Sequence, residues 1–520
     1  MIGCGGSSEK VAAGNSEKAI TITTTAETGS LDPAGVSSYT YWSYQTYALD
    51  ELVSYDKEGK PIYKAAESYD VNDDNSIFTF QLRKDAKWSD GTPVTAGDFI
   101  NTITRALSPT CGSGYSDFLF CIKNAEEIYK GNATADTLGV KAVDDYTLEF
   151  DLKESCPYFI DLLRLPVFKP SCSKYATETG SGWDKKPDTS VGNGPYNLIE
   201  YVPQQYFVLG KNPNYWNKDK INLDKITFKM INDQQAQVNA YKTKEVDVAT
   251  DLPYYIKDQY NGKEDFVTSP LITTKYLYPN ITVKPLDDAK VRQAINLAIN
   301  REEVCKAVGS NTVPTTNFVA KNMISKISGK KWVEETDPLF EEDVAKAQQL
   351  LAEAGYPNGE GFPKIQYMYP NVEIDSDTAQ SVQAQLKKNL NIDVELVAQE
   401  MQVNIADRRE HKFGLCRMSW TADFSDPYTY LSMHISNSSY NDNCVNDPEF
   451  DKLMAQSNTE KDPAKRNEIL HQAEQELIGK QFYLVPLYSL EAYNLINPKI
   501  TGYSYIPANG ALDFTYADIK

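Results

Sequence analysis

Apolar and polar residues alternate over many short stretches in the first half of the chain. A period of two predicts β-strands that are buried on one face. Helical periods interrupt these strands in "GDFINTITRAL" (97–107) and "DQQAQVNAYKTKE" (233–245), and "WSYQTYALDELV" (42–53) also has helical character. Strands are predicted at 19–25, 76–84, 146–152, 193–202, 205–212, 224–231 and 246–250. This alternation of strands and helices predicts mixed α/β layers.

After Pro285 the pattern becomes mainly helical. The clearest helix is "DDAKVRQAINLAINREEVCKAV" (287–308), in which Asp287 or Asp288 can cap the first amides. A second helix, at 341–359, ends at Gly355 and Pro357. Further helices are predicted at 378–390, 448–457 and 463–478, and strands at 392–399, 413–418 and 483–489. The apolar stripe of the first helix consists of Val291, Ala294, Ile295, Ala298 and Ile299.

The charge of the chain narrows the choice of partners. The 520 residues carry a formal net charge of −20, and this length predicts about two to four domains. A strongly negative surface repels phosphate groups, which argues against nucleic acid and against electrostatic docking on anionic lipid. No apolar run is long enough for a membrane-spanning helix.

The amino-terminal stretch "MIGCGGSSEKVAAGNSEK" has the features of the end of a bacterial lipoprotein signal. Cys4 is followed by a Gly- and Ser-rich segment, which is typical of a flexible tether. We therefore expect Cys4 to be acylated, with residues 1–18 forming the anchor and tether. A single acylated residue anchors a protein to the membrane surface and leaves its body in water.

Seven cysteines remain besides Cys4. Cys111 and Cys121 bracket one short segment, and Cys156 and Cys172 bracket another. A disulfide closing a loop of that size would contribute about 3 kcal/mol in an exported protein. The pairing cannot be read from the sequence, and buried free thiols are an open alternative.

The sequence contains no recognisable catalytic or cofactor motif. Its three histidines, His411, His434 and His471, have no partner at metal-ligand spacing, which argues against a zinc site or a histidine-based triad. No Walker or Rossmann glycine motif is present. Asp423 and Asp426 could be considered as paired glycosidase carboxylates, but acids before Pro427 are typical of turns. We expect a protein that is not an enzyme and that binds no cofactor and no metal.

One acid raises a question of its own. In "CRMSWTADFSDPYTYL" (416–431), Asp423 follows a tryptophan and lies among aromatic residues and a proline. A carboxylate in such surroundings is costly unless a positive group neutralises it. That group could be an internal Arg or Lys, or it could belong to a ligand.

A long collinear series of motifs resembles one family. It includes "KWSDGTPVTAGDF", "LGVKAVDDYTLEF", "NGPYNL", "KNPNYW", "VRQAINLAINRE" and "LLAEAGYP". In order and character the series, from about residue 19 to 490, resembles the extracytoplasmic oligopeptide- and dipeptide-binding receptors of bacterial ABC importers. Most of these motifs are structural, so they indicate the family more firmly than the ligand.

The resemblance implies an α/β fold of the two-lobed periplasmic-binding-protein type, class II, with an extra inserted domain. The first lobe would comprise 19–49, 184–284 and 491–520, the inserted domain 50–183, and the second lobe 285–490. The chain would cross between the lobes near 284 and 490, and the lobes would close on the ligand about these hinges.

The resemblance also implies a binding site. In such receptors an acid in a W-x-A-D element pairs with the α-ammonium of the peptide, and this chain has Trp420, Thr421, Ala422 and Asp423 in that element. Further positions that match cleft residues of the family are Tyr115, Tyr276, Arg417, Arg408 and Met401. For the two arginines an internal or surface ion pair is an equal alternative.

One segment departs from the family pattern. Where some members have a histidine near the carboxyl end of the peptide, "YPNVEIDSD" offers Glu373, Asp375 and Asp377. Acids there would repel a carboxylate, so we expect a preference for Lys or Arg toward that end of the ligand.

We therefore expect a monomeric, lipid-anchored receptor that binds short peptides and delivers them to separate ABC permease and ATPase subunits. It would lie on the outer face of a Gram-positive cell membrane or in a periplasm. Open alternatives are the same fold binding a metal chelate, an oligosaccharide or a signalling peptide, and a secreted hydrolase.

Overall fold

The computed structural model describes residues 17–24, 30–36, 42–55, 61–178, 182–309, 311–506 and 511–520. Cys4 and most of the predicted tether lie outside these ranges. The strands are β1 (Ala19–Thr24), β2 (Val53–Tyr55), β3 (Pro61–Tyr63), β4 (Ala66–Val71), β5 (Ile77–Leu82), β6 (Val140–Asp144), β7 (Thr147–Asp151), β8 (Tyr196–Val202), β9 (Tyr206–Lys211), β10 (Lys225–Met230), β11 (Val248–Ala249), β12 (Phe266–Pro279), β13 (Thr312–Pro314), β14 (Ile365–Pro370), β15 (Val394–Gln399), β16 (Leu415–Thr421), β17 (Val485–Ile496), β18 (Ile500–Thr501), β19 (Ser504–Tyr505), β20 (Leu512–Asp513) and β21 (Asp518–Ile519).

The α-helices lie between these strands, alongside short 3₁₀-helices. They are α1 (Trp42–Ala48), α2 (Ala96–Ala106), α3 (Ala125–Tyr129), α4 (Phe159–Leu162), α5 (Gln234–Lys242), α6 (Ile256–Tyr260), α7 (Ala289–Ala298), α8 (Arg301–Val308), α9 (Val344–Glu353), α10 (Glu373–Leu390), α11 (Met401–Arg409), α12 (Tyr428–Leu431), α13 (Pro448–Thr459) and α14 (Pro463–Glu474). Within the part of the chain that the structure describes, no helix has both the length and the apolar character needed to cross a bilayer.

One large sheet runs through both lobes in the order β15-β14-β16-β12-β17-β11-β1-β10-β9-β8, with β13 added to β17. Its centre is the antiparallel pair of β12 and β17, the two longest strands. Beyond β17 lie β11, β1, β10, β9 and β8, from the segments predicted as the first lobe, and beyond β12 lie β16, β14 and β15, from the segment predicted as the second lobe. We therefore propose that the two long strands connect the lobes.

The lobes meet where the β12–β17 register shifts. The residues from Phe266 to Pro270 pair with the first-lobe end of β17, and the pairing resumes at Thr274 opposite Ser489. Tyr276 already belongs to the hydrophobic core of the second lobe. We therefore propose that the crossing lies at 270–274, earlier than the boundary near 284 that the sequence predicts, and opposite the predicted crossing near 490.

A separate four-stranded sheet, in the order β4-β5-β7-β6, lies in the segment predicted as the inserted domain. Its helix α2 begins with a capping box, in which Asp98 accepts a hydrogen bond from the backbone of Thr95 at 2.9 Å. Buried Arg105 of α2 forms an ion pair with Asp32. Because Asp32 lies in the first-lobe segment, this pair fastens the inserted domain to that lobe, with which it shares one hydrophobic cluster.

The helix predicted over 287–308 is two helices. Asp288 caps α7 by accepting a hydrogen bond from the Lys290 N–H at 2.8 Å, as the sequence suggests. However, α7 ends at Ala298, and Asn300 caps a new helix, α8, by accepting from the Glu303 N–H at 2.8 Å. The cap residue interrupts an otherwise regular apolar period, which explains why the sequence pattern does not show the break.

Candidate functional site

The candidate site is built on the end of β16 and the turn that follows it. β16 is a central strand, bonded on one side to β12 and on the other to β14. The Thr421 hydroxyl lies 2.8 Å from that of Thr273, its partner on β12. One residue later, the backbone N–H of Ala422 donates to the carbonyl of Ile272 at 2.9 Å. The next residue, Asp423, is therefore held at the edge of the β12–β16 pair, close to the proposed crossing between the lobes.

Asp423 and Asp426 lie in the same turn but have different surroundings. Asp426 is 6% exposed and accepts two hydrogen bonds from Arg466, at 2.7 and 3.0 Å. Asp423 is half-buried, and no Lys, Arg or His of the described residues forms an ion pair with it. Burial, with a contribution from the charge of Asp117, raises the pKa of Asp423 to about 7. Of the two carboxylates, Asp423 is the one that still needs a cation.

Asp117 belongs to the inserted domain and faces the turn from the opposite side. Its carboxylate accepts a hydrogen bond from the Tyr440 hydroxyl at 2.7 Å. The Tyr440 ring packs edge-on against Trp420, with the ring centroids 5.6 Å apart. The indole N–H of Trp420 has no hydrogen-bond partner among the described residues. This end of the site therefore combines two carboxylates from different domains with an unused donor.

An aromatic stack connects the inserted domain to the same turn. Tyr158 stacks on Phe424 and on Tyr428, with centroid distances of 5.3 and 4.5 Å. Phe118 meets Phe424 edge-on at 6.4 Å. The predicted cleft residue Tyr115 is buried and stacks on Phe118 at 6.0 Å, so it lies behind this contact layer. These ring contacts thus join the inserted domain to the residues that follow Asp423 in the turn.

A second charged cluster lies farther back along β16. The Arg417 Nε donates to Asp375 Oδ1 at 2.6 Å, and Lys275 of β12 approaches the same oxygen at 3.5 Å. All three side chains are largely buried. Burial raises the pKa of Asp375 and lowers that of Arg417 to about 10. The internal ion pair considered for Arg417 is present, and the cluster carries one net positive charge when all three groups are ionised.

This cluster corrects the expectation that Asp375 repels a ligand carboxylate, because two cations neutralise it. The other two acids of the segment are placed differently. Glu373 is exposed, and Asp377 is half-buried. Glu373 lines a cavity of about 750 Å³ between the lobes, together with Asp233, Tyr254 and other polar residues. Of the three acids on which the predicted preference for basic ligand residues rests, Glu373 is the one that lines this cavity, and the preference stays a prediction.

The remaining predicted residues are not brought to the turn. Arg408 donates to Asp442 at 2.7 Å, so it too has an internal partner. Met401 is 41% exposed at the start of α11. Tyr276 is 0% exposed and lies in the second-lobe core against Tyr278, and its role in the cleft stays a prediction. A residue at the centre of a sheet that packs on both faces is buried whichever face its side chain takes.

Two of the three histidines, His434 and His471, lie inside the protein. His434 is fully buried, and burial lowers its pKa to about 3. His471 lies 2.9 Å from Glu335 and stacks on Trp332. Within the described ranges, no three His, Cys, Asp or Glu side chains come close enough together to hold a metal ion.

A mixed α/β fold with two lobes is the architecture of the two-lobed solute-binding proteins. The comparisons make this assignment specific. The model described as "Bacterial extracellular solute-binding proteins, family 5 Middle" matches residues 60–442. The chain therefore belongs to family 5 of the bacterial extracellular solute-binding proteins, whose members bind solutes and are not enzymes.

Similar proteins cover nearly the whole chain. The periplasmic oligopeptide-binding protein OppA of Escherichia coli K12 is 32% identical over 497 residues, 94% of this chain and 90% of OppA. The periplasmic murein peptide-binding protein MppA of the same strain is 34% identical over 497 residues, again 94% and 90% of the two chains. The unliganded open form of MppA superposes with a TM-score of 0.81, covering 96% of this chain and 98% of MppA at 30% identity.

Proposed function

We propose that this protein captures short peptides outside the cytoplasm for uptake by an ABC importer, and that Asp423 pairs with the α-ammonium group of the peptide. The observation that carries the proposal is the carboxylate of Asp423, which has no ion-pair partner among the described residues. Its neighbour Asp426, in the same turn, has Arg466. An ammonium group from a ligand would neutralise Asp423 in the way that Arg466 neutralises Asp426.

The surroundings of Asp423 suit such a cation. A peptide ammonium has three N–H donors, and Asp423 and Asp117 offer acceptor oxygens from two domains. The unused indole N–H of Trp420 could donate to a peptide carbonyl. When the lobes close, water leaves and the charge-assisted bonds strengthen.

The cluster of Arg417, Lys275 and Asp375 is our proposed contact for the carboxylate end of a ligand. Its net positive charge favours an anion, and Arg417 lies on the same strand as Trp420. A peptide lying along β16 would then present its two charged ends to groups of opposite sign. Main-chain groups contribute independently of sequence, so different side chains can be tolerated.

The names of the relatives suggest a peptide as the ligand, and the contacts described above are what support a peptide ligand for this chain. OppA and MppA of Escherichia coli are named as oligopeptide- and murein peptide-binding proteins. The permease and ATPase subunits are proposed as partners on the same basis. We further propose that the protein acts as a monomer anchored through Cys4, which lies outside the described residues. Partitioning into detergent should be lost in Cys4→Ala if acylation is the anchor.

Native mass spectrometry of the protein purified from cells tests the ligand class. We expect part of the protein to carry extra mass that is released on unfolding and that fragments as a short peptide. A released steroid, sugar or metal chelate would contradict the peptide assignment. If the protein is recovered empty, titration with a mixture of di- to pentapeptides replaces the first measurement, and failure of every peptide to bind would contradict the assignment.

A further inference from the structure

Two cysteines from separate segments of the inserted domain share one cavity. Cys121 ends a short 3₁₀-helix, and Cys156 lies in the loop after β7. The two segments are joined through the backbone, since Ile122 and Leu152 form an antiparallel bridge and the Lys153 N–H donates to the Cys121 carbonyl at 2.8 Å. Both cysteines line a cavity of about 320 Å³ that also reaches the second lobe.

The two thiols lie close enough that, besides burial, Cys121 raises the pKa of Cys156. The Cys121 thiol donates to the Phe118 carbonyl at 3.3 Å. Cys156 is 3% exposed, whereas Cys121 is half-buried at the cavity wall. Nearness in the sequence would group Cys111 with Cys121 and Cys156 with Cys172. The fold instead places Cys121 beside Cys156.

We propose that Cys121 and Cys156 are a thiol pair that forms a disulfide by exchange with a small extracellular disulfide. Family 5 proteins are extracellular solute-binding proteins, and disulfides persist in oxidising compartments outside the cytoplasm. This inference does not depend on the identity of the ligand at Asp423.

The environment of each thiol sets the order of the steps. Burial raises the pKa of Cys156 well above its ordinary value, so the more accessible Cys121 is the first nucleophile. Its thiolate attacks one sulfur of the small disulfide, forming a mixed disulfide and expelling one thiolate, which takes up a proton. The Cys156 thiol then gives its proton to solvent and attacks the Cys121 sulfur, expelling the second thiolate, which is protonated in turn. The protein loses two hydrogen atoms, and the small disulfide becomes two thiols.

The bond would join the two segments that form the aromatic wall beside Asp423. Phe118 lies in the 3₁₀-helix that Cys121 ends, and Tyr158 follows Cys156 by two residues. Both rings contact Phe424 of the second lobe. A disulfide would therefore hold this wall of the inserted domain together in the exported protein.

Differential alkylation of the full chain tests the proposal. The protein is incubated with oxidised glutathione, quenched with acid, unfolded and alkylated, and then reduced and labelled with a second reagent. We expect Cys121 and Cys156 to carry mainly the second label and a linked peptide to be found before reduction. Cys172 and Cys305, both buried, should carry the first label.

Single variants provide the control. In Cys121→Ser the linked peptide should disappear and Cys156 should take the first label, and the reverse should hold for Cys156→Ser. Cys172→Ser is the matched change at another buried cysteine and should leave the link intact. The proposal would be overturned if Cys121 and Cys156 carried the first label to the same extent as Cys172. It would also be overturned if either of them were linked to Cys111 or Cys172.

Discussion

Two acids of the second lobe differ in whether the protein itself provides a cation for their carboxylate. Asp375, in the first turn of α10, is buried against Arg417 and Lys275. Asp423, after β16, is half-buried, has no cation among the described residues and faces a further acid, Asp117. Burial raises the pKa of both carboxyl groups. The comparison shows that the fold supplies counter-ions where a charge belongs to its own structure, and that Asp423 lacks one.

The largest expected effect is on stability. Asp375→Asn leaves Arg417 and Lys275 buried without an anion, so we expect the free energy of unfolding to fall by about 3 kcal/mol. Asp423→Asn is the matched change in the other region. Asp423 has no cation among the described residues to offset the cost of burying its charge, so this variant should be unchanged or more stable by about 1 kcal/mol.

Chemical unfolding of the ligand-free protein at pH 8 measures both changes. Equal losses of stability in the two variants would show that Asp423 has an internal partner as strong as that of Asp375. That result would remove the difference between the two regions.

The next effect is the pH dependence of binding. The pKa of Asp423 in the free protein is about 7, and pairing with an ammonium group lowers it in the complex. Below about pH 7, binding therefore requires loss of a proton, and affinity should fall up to about tenfold for each pH unit. Above about pH 8 the ligand amine loses its own proton. Isothermal titration calorimetry should find the highest affinity between about pH 7 and 8, whereas constant affinity from about pH 5 to 7 would contradict the role of Asp423.

A smaller effect should follow from removing the neighbouring charge. Asp117→Asn removes a group that raises the pKa of Asp423, so the decline of affinity on the acidic side should move to lower pH by a fraction of a unit. Asp136→Asn makes the same change at an exposed position of the inserted domain and should leave the profile unchanged. A shift of equal size in both variants would indicate a general effect of net charge.

The smallest expected effect on peptide affinity comes from removing the hydrogen bond between Tyr440 of the second lobe and Asp117 of the inserted domain. Tyr440→Phe removes the hydrogen bond to Asp117, but the ring is 43% exposed, so we expect peptide affinity to change by less than about 1 kcal/mol. Tyr129→Phe, at an exposed tyrosine of the inserted domain, is the control. Loss of affinity well beyond tenfold in Tyr440→Phe would indicate that the hydroxyl contacts the ligand directly.

The sequence predicts most of the elements because their periodicity is local. It misses the end of α7, since Asn300 caps a new helix within a continuous apolar pattern. The crossing near 284 stays a prediction, and the proposed crossing at 270–274 depends on the pairing of β12 with β17, which no local sequence pattern shows.

The candidate site likewise has residues that a local motif indicates and residues that only the folded structure brings together. Asp423 and Trp420 lie in one short motif, so the sequence indicates them together. Lys275 and Tyr440 contact Asp375 and Asp117, which are far away along the chain, and only the packing of β12 and the inserted domain brings them together. No local signal could identify these pairs.

The central claim is that Asp423 pairs with a peptide ammonium, and a double-mutant cycle tests it most directly. Calorimetry at about pH 7.5 would compare tri-alanine with N-acetyl-tri-alanine, each on the wild-type protein and on Asp423→Asn. We expect acetylation to weaken wild-type binding by about 2–4 kcal/mol and to have little further effect on the variant. An equal loss on acetylation in both proteins would contradict the pairing.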